Sequence, residues 1–179
     1  MKYINLTICL LIAGVTFSQK NAFGNKSTKL SLDIHAGVNS GNGIQTGFAT
    51  NIGLSYAASK LIQLRGDFGN DWVGDNHISR VTGHVVMNLT EKIKLDNTKY
   101  GFAVHAGTGF SLRKNPLKFP SDNIFSGDKM VNLVFGATPS YKLNDKFTLQ
   151  VDISYVQLYL NSPDLSGYLN TMLGLSYKF

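Results

Sequence analysis

Apolar and polar residues alternate with a period of two along most of this chain. The clearest case is its last stretch, where Leu169, Thr171, Leu173, Leu175, Tyr177 and Phe179 interleave with Asn170, Met172, Gly174, Ser176 and Lys178. Such alternation marks a β-strand with two unlike faces. Seven earlier segments read the same way. Leu30, Leu32, Ile34 and Ala36 oppose Ser31, Asp33 and His35; Phe48, Thr50, Ile52, Leu54 and Tyr56 oppose small and polar residues; and Ile62, Leu64, Gly66 and Phe68 oppose Gln63, Arg65 and Asp67. The fourth carries Val81, Gly83, Val85, Met87 and Leu89, the fifth runs from Tyr100 to Leu112, the sixth carries Val131, Leu133, Phe135, Ala137 and Tyr141, and the seventh Phe147, Leu149, Val151, Ile153 and Tyr155. Residues 37–45, 70–78, 90–99, 113–128 and 161–166 read as loops, with tight turns near residues 59–60 and 143–146. The repeated strand-and-turn spacing predicts an all-β, eight-stranded antiparallel up-and-down barrel.

The chemistry of the two faces selects the medium. On the apolar parity of the eight predicted strands there is no Asp, Glu, Lys or Arg. The other parity carries Asp33, Arg65, Asp67, Arg80, Asp152 and Lys178 with His35, His84 and His105, diluted by Gly, Ser and Asn. A face without charge suits lipid, where a Lys or Arg at the bilayer midplane costs about 2–4 kcal/mol. A lipocalin-like barrel would hide the apolar parity inside and cover its outside with Lys and Glu, which the polar parity lacks. The expectation is therefore a transmembrane barrel with a lumen closed by ion pairs among the six charged residues. Tyr56, Tyr100, Tyr141, Phe147, Tyr177 and Phe179 all fall on the apolar parity at one rim, as a belt of interfacial aromatics would. Loops after odd-numbered strands that are longer than those after strands two and six put both mature termini on the periplasmic side.

Composition trims the alternatives. The chain has 179 residues, 18 glycines and 43% hydrophobic residues. Residues 1–18, with Lys2, an apolar run to Val15 and small residues before Gln19, read as a cleaved signal peptide; 19–28 read as a flexible periplasmic leader and 29–179 as the barrel. Cys9, the single cysteine, lies in the signal, so the mature chain offers no disulfide, thiolate ligand or cysteine nucleophile. The formal charge of +6 is scattered rather than striped, which argues against nucleic acid.

The segments 80–89 (RVTGHVVMNL), 100–112 (YGFAVHAGTGFSL) and 130–155 (MVNLVFGATPSYKLNDKFTLQVDISY) resemble the N-terminal barrel of OmpA-type outer-membrane proteins. The likeness covers most of the mature chain through diffuse barrel patterns. Longer members continue into a peptidoglycan-binding domain, whereas this sequence stops at Phe179. The resemblance thus implies a barrel-only protein similar to the small OmpX- or OmpW-like barrels, residing in the outer membrane in contact with its lipid. It further implies a terminal aromatic read by the barrel-assembly machinery.

Catalytic chemistry is weakly signposted. His35, His77, His84 and His105, with Ser40, Ser79 or Ser111, could supply the parts of a lipid-modifying enzyme, but no nucleophile elbow or other catalytic string is present. The histidines lie on different strands without a local ligand pattern, so neither a metal nor a cofactor is expected. The reading is a structural or interaction protein of the envelope that presents surface loops, with a narrow solute pore as the alternative.

Overall fold

A computed structural model describes residues 30–41, 44–74, 76–90, 99–114, 128–159 and 167–179. The signal and leader lie outside them. The eight strands are β1 (Leu30–Gly41), β2 (Ile44–Ala57), β3 (Ile62–Val73), β4 (Asn76–Asn88), β5 (Tyr100–Lys114), β6 (Asp128–Lys142), β7 (Phe147–Tyr159) and β8 (Gly167–Lys178). Each pairs antiparallel with its neighbours in sequence, and β1 closes on β8 from Ser31 opposite Lys178 to Gly41 opposite Tyr168. Closure leaves no edge strand, as a hydrocarbon surround demands.

The alternation resolves as the face chemistry requires. Ile34, Leu54, Leu64, Val85, Phe135 and Leu173 point outward and are exposed, while Asp33, Asp67, Arg80 and Asp152 are buried inside. A lipocalin-like interior would reverse both sets. At 12–15 residues each, the eight strands exceed the ~9–11 that a tilted membrane strand needs.

Three sequence-based boundaries shift. The segment 70–78 is not a loop: β3 continues to Val73, β4 starts at Asn76, and Gly74 takes a φ of 58° in the turn, a conformation open to glycine without a Cβ clash. The loop at 37–45 shrinks similarly, since β1 reaches Gly41 and β2 begins at Ile44. Arg113 and Asp128 are cross-strand partners joined by a 2.6 Å ion pair, so the loop expected at 113–128 begins only after Lys114. The connections after β1 and β3 are thus the tightest in the barrel. Loop length no longer separates the two ends as the sequence suggested.

Proline at Pro139 is tolerated inside β6 because its side of the ladder toward β7 is interrupted, with pairing resuming from Ala137 opposite Ile153 to Ser140 opposite Gln150.

Candidate functional site

The lumen is layered along the barrel axis. At the end that holds the termini, a vestibule of about 390 Å³ opens between the strands, lined by Asp33, Ser55, Arg65, Gln150, Ser176 and Lys178 among others. Asp33 accepts a short hydrogen bond from the Ser55 hydroxyl, and His35 Nε2 lies 3.1 Å from Gln150 Oε1.

The floor of the vestibule is a charged cluster. Arg65 Nε lies 3.1 Å from Asp67 Oδ2, and its Nη1 lies 3.5 Å from Asp152 Oδ2. His84 Nε2 stands 3.1 Å from Asp67 and His105 Nε2 stands 3.2 Å from Asp152. Asn51 Nδ2 donates to Asp67 and Thr138 Oγ1 donates to Asp152. The two imidazoles meet edge to face, with Nδ1 of one 3.3 Å from Nδ1 of the other.

Deeper lies a second cluster around Asp71. Its Oδ2 accepts from Arg80 Nε at 2.6 Å and from the Tyr168 hydroxyl at 2.6 Å, and Asn170 Nδ2 reaches its Oδ1 at 3.4 Å. Asn132 links the Ser111 hydroxyl to Thr82 on the neighbouring wall. Asp71 escaped the sequence reading because it was assigned to a loop; its alternation with Arg65, Asp67 and Gly69 on the inward parity was the available signal.

Beyond this cluster the inward face becomes apolar. Val73, Ile78, Met130, Val134, Val156, Leu158 and Tyr168 form one buried cluster, none more than 3% exposed. They sit at the strand ends remote from the termini. The charged residues expected to fill the lumen therefore share its interior with an apolar cluster at the far end. The positions were legible as inward by parity, but not as a plug, because strand height decides which inward residues meet.

Of the predicted lumen charges, Asp33, Arg65, Asp67, Arg80 and Asp152 are all buried. Lys178 is the exception: it shares the inward parity but is exposed at the vestibule mouth, one residue from the end of the chain. Bulky lumen groups are seated opposite glycines. A Cβ on Gly136 would fall 2.4 Å from His105 Nε2, and one on Gly174 would fall 1.9 Å from His35.

On the outer surface, Tyr100 packs on Tyr141 and Phe147 on Tyr177, each with ring centroids 5.1 Å apart, and Tyr177 meets Phe179 at 5.2 Å. Tyr56 stands on the same rim, opposite Leu30 and Leu64. The structure adds a second belt at the opposite end, where Phe48 contacts Trp72, Trp72 stacks on His77, and Phe110, Tyr155 and Tyr159 are exposed. Two aromatic girdles bounding an apolar band are the surface of a membrane barrel.

No known family model matches this chain, and no curated protein matches it in sequence. Solved structures match its fold. Neisserial surface protein A is similar at 12% identity, covering 87% of this chain and 100% of its own, with a TM-score of 0.66. The N-terminal β-barrel domain of Pseudomonas aeruginosa OprF is similar at 14% identity over 86% of this chain and 100% of its own, with a TM-score of 0.59. The outer membrane enzyme PagL is similar at 13% identity over 83% of this chain and 99% of its own, with a TM-score of 0.50. The fold is therefore that of eight-stranded transmembrane β-barrels. At these identities it carries no role with it, since a surface protein, a barrel domain and an enzyme share it.

Proposed function

We propose that the protein is a sealed scaffold barrel of the bacterial outer membrane, with both termini periplasmic and with a structural or interaction role exercised through its outer surface and loops. The observation that carries this reading is the layered lumen, in which an ion-paired floor is backed by a buried apolar plug. Such a lumen stiffens the wall and leaves no path for solutes, which disfavours the narrow pore. Eight strands leave an interior just wide enough to be filled by side chains.

An enzymatic reading gains little from the geometry. Ser79 donates to Asn70, Ser111 accepts from Asn132, and His77 stacks on Trp72. Among the described residues none of these serines is hydrogen-bonded to a histidine.

The C-terminal strand is the element we assign to the barrel-assembly machinery. It closes the seam, its Phe179 N–H donates to the Leu30 carbonyl, and its last aromatics belong to the girdle at the termini.

Orientation and location are tested together. The mature sequence has no cysteine, so Asn144→Cys in a short turn and Ser121→Cys in the longest connection each introduce a unique thiol. A membrane-impermeant maleimide should label Ser121→Cys on intact cells and Asn144→Cys only after lysis, with both proteins in the outer-membrane fraction. The reverse labelling, or recovery in the soluble periplasmic fraction, overturns the proposal.

A further inference from the structure

The structure carries β5 and β6 beyond their sequence-based bounds, and the added residues bring charge onto the lipid-facing parity. Lys114 and Lys129 are the only Asp, Glu, Lys or Arg on that parity in the eight strands. They stand on neighbouring strands at the end remote from the termini. Lys129 is opposite Leu112, two residues before Lys114, which sets the lysines on a diagonal about 7–8 Å apart. His77 is opposite Lys114, and Trp72 stacks on His77. The carboxylate of Asp128 is held by Arg113 at 2.6 Å, and among the described residues neither lysine is ion-paired. Two unpaired cations beside the aromatic girdle, on a surface otherwise without charge, face the level of lipid headgroups.

Below them the same wall is hollowed. Gly66, Gly83 and Thr108 share one row across β3, β4 and β5, and Val85, Leu133 and Phe135 stand around them to form a surface depression of about 660 Å³. A Cβ on Gly66 or Gly83 would meet nothing within 4 Å. The Thr108 hydroxyl donates to the Asn132 carbonyl, so the floor leaves no hydroxyl in need of a partner. Such a hollow suits hydrocarbon rather than a polar ligand.

Register aligns the two features. A row of paired residues that leaves β1 at Leu30 climbs around the barrel and returns to β1 at Ser40, ten residues nearer the far end, so each row descends from β6 toward β3. Gly83 shares its row with Leu133, four residues below Lys129 on β6. Four residues of strand and two strands of descent, at a tilt of ~40°, put Gly83 roughly 16 Å beneath Lys129 and almost directly below it. Half of a hydrocarbon core ~30 Å thick is about 15 Å. One lipid therefore spans from the lysines to the hollow.

We propose that Lys114, Lys129 and the hollow at Gly66 and Gly83 form a binding site for one lipid of net negative charge, with its phosphate between the two ammonium groups and an acyl chain laid into the groove. A zwitterionic lipid fits less well, because its own cation would stand beside the lysines. The site rests on the barrel spanning a bilayer, and not on the sealed lumen or the orientation proposed above.

Trp72 is the only tryptophan of the chain and shares a row with His77 and Lys114, so its fluorescence reports the lipid bound there. The test refolds the barrel into phosphatidylcholine vesicles that contain a small fraction of either phosphatidylglycerol or phosphatidylcholine brominated near the headgroup. Quenching by brominated phosphatidylcholine verifies insertion, whichever way the barrel faces, and its absence would count against the transmembrane reading rather than the site. Brominated phosphatidylglycerol should be preferred at the site by about 5-fold for each lysine engaged. Lys114→Gln and Lys129→Gln should each lose part of that preference and the double variant all of it, while Lys60→Gln in the turn after β2 should keep it. Native mass spectrometry should find one phosphatidylglycerol retained per wild-type barrel, and Gly83→Leu, which fills the hollow from outside the wall, should retain it several-fold less. Glycerol phosphate, a headgroup without a chain, should not displace the lipid. Equal quenching by the two brominated lipids in inserted wild type, an undiminished preference in the double variant, unchanged retention in Gly83→Leu, or displacement by glycerol phosphate would each overturn the proposal.

Discussion

The Tyr168 hydroxyl on β8 donates to Asp71 Oδ2 on β3 at 2.6 Å, although the two strands are not neighbours in the barrel. The bond crosses the lumen and meets Arg80 on the same carboxylate oxygen. Asp71 therefore ties three strands together where the polar interior gives way to the apolar plug.

Removing that carboxylate leaves the Arg80 guanidinium buried without its counter-ion. Asp71→Ala should destabilise the barrel by about 3–5 kcal/mol. Tyr168→Phe deletes one hydrogen bond to a charged group and should cost about 1.5–3 kcal/mol. Equilibrium urea unfolding of the protein in lipid vesicles checks both values; a cost under about 1 kcal/mol for Asp71→Ala would mean that the cluster is not closed as described.

The outer surface predicts a contrast between two equally exposed apolar residues. Val85 is 53% exposed on the apolar band and Leu143 is 52% exposed in a turn. Val85→Lys should cost about 2–4 kcal/mol in a bilayer, and Leu143→Lys should be near neutral. In a water-facing barrel both changes would be near neutral, so vesicle unfolding of the pair separates the two media.

Glycines should divide in the same manner. Gly136→Ala and Gly174→Ala drive a Cβ into His105 and His35 and should each cost about 1–3 kcal/mol. Gly66→Ala and Gly83→Ala face outward with nothing within 4 Å and should stay within about 0.5 kcal/mol of the parent. Equal effects in the two pairs would show that backbone flexibility, rather than room for the lumen side chains, explains the glycines.

The seam yields a cellular prediction. Deleting Phe179 removes a backbone bond to Leu30 and the ring packed on Tyr177, so folded protein in the outer membrane should fall well below the level of Ser176→Ala, which alters only a lumen group. Quantitative blotting of unheated samples reads the folded fraction, and equal levels would remove the terminal strand from its assembly role.

Strand number, antiparallel order and the identity of the lipid-facing set were readable from alternation alone, as Leu54, Val85 and Leu173 illustrate. The hairpin at Gly74 was not, because Asn70, Asp71, Gly74, Asp75 and Asn76 are turn formers by composition and the strand pattern persists through them only in parity. Parity also says nothing about height. It placed Lys178 beside Asp152 on the inner face, whereas strand position puts the lysine at the mouth and the aspartate in the cluster. The meeting of His84 with His105 depends on the β4–β5 register, which no spacing along a single strand encodes.

The most direct test of a sealed barrel is electrical. Refolded protein inserted into a planar lipid bilayer should produce no stable conductance above that of the bare membrane if, as proposed, the buried cluster of Val73, Ile78, Val134, Val156 and their neighbours seals the lumen above the charged floor. Insertion is verified independently by protease protection and heat-dependent gel migration of the same preparation. Large, stable, nonselective current steps from that verified material would contradict the account at its centre.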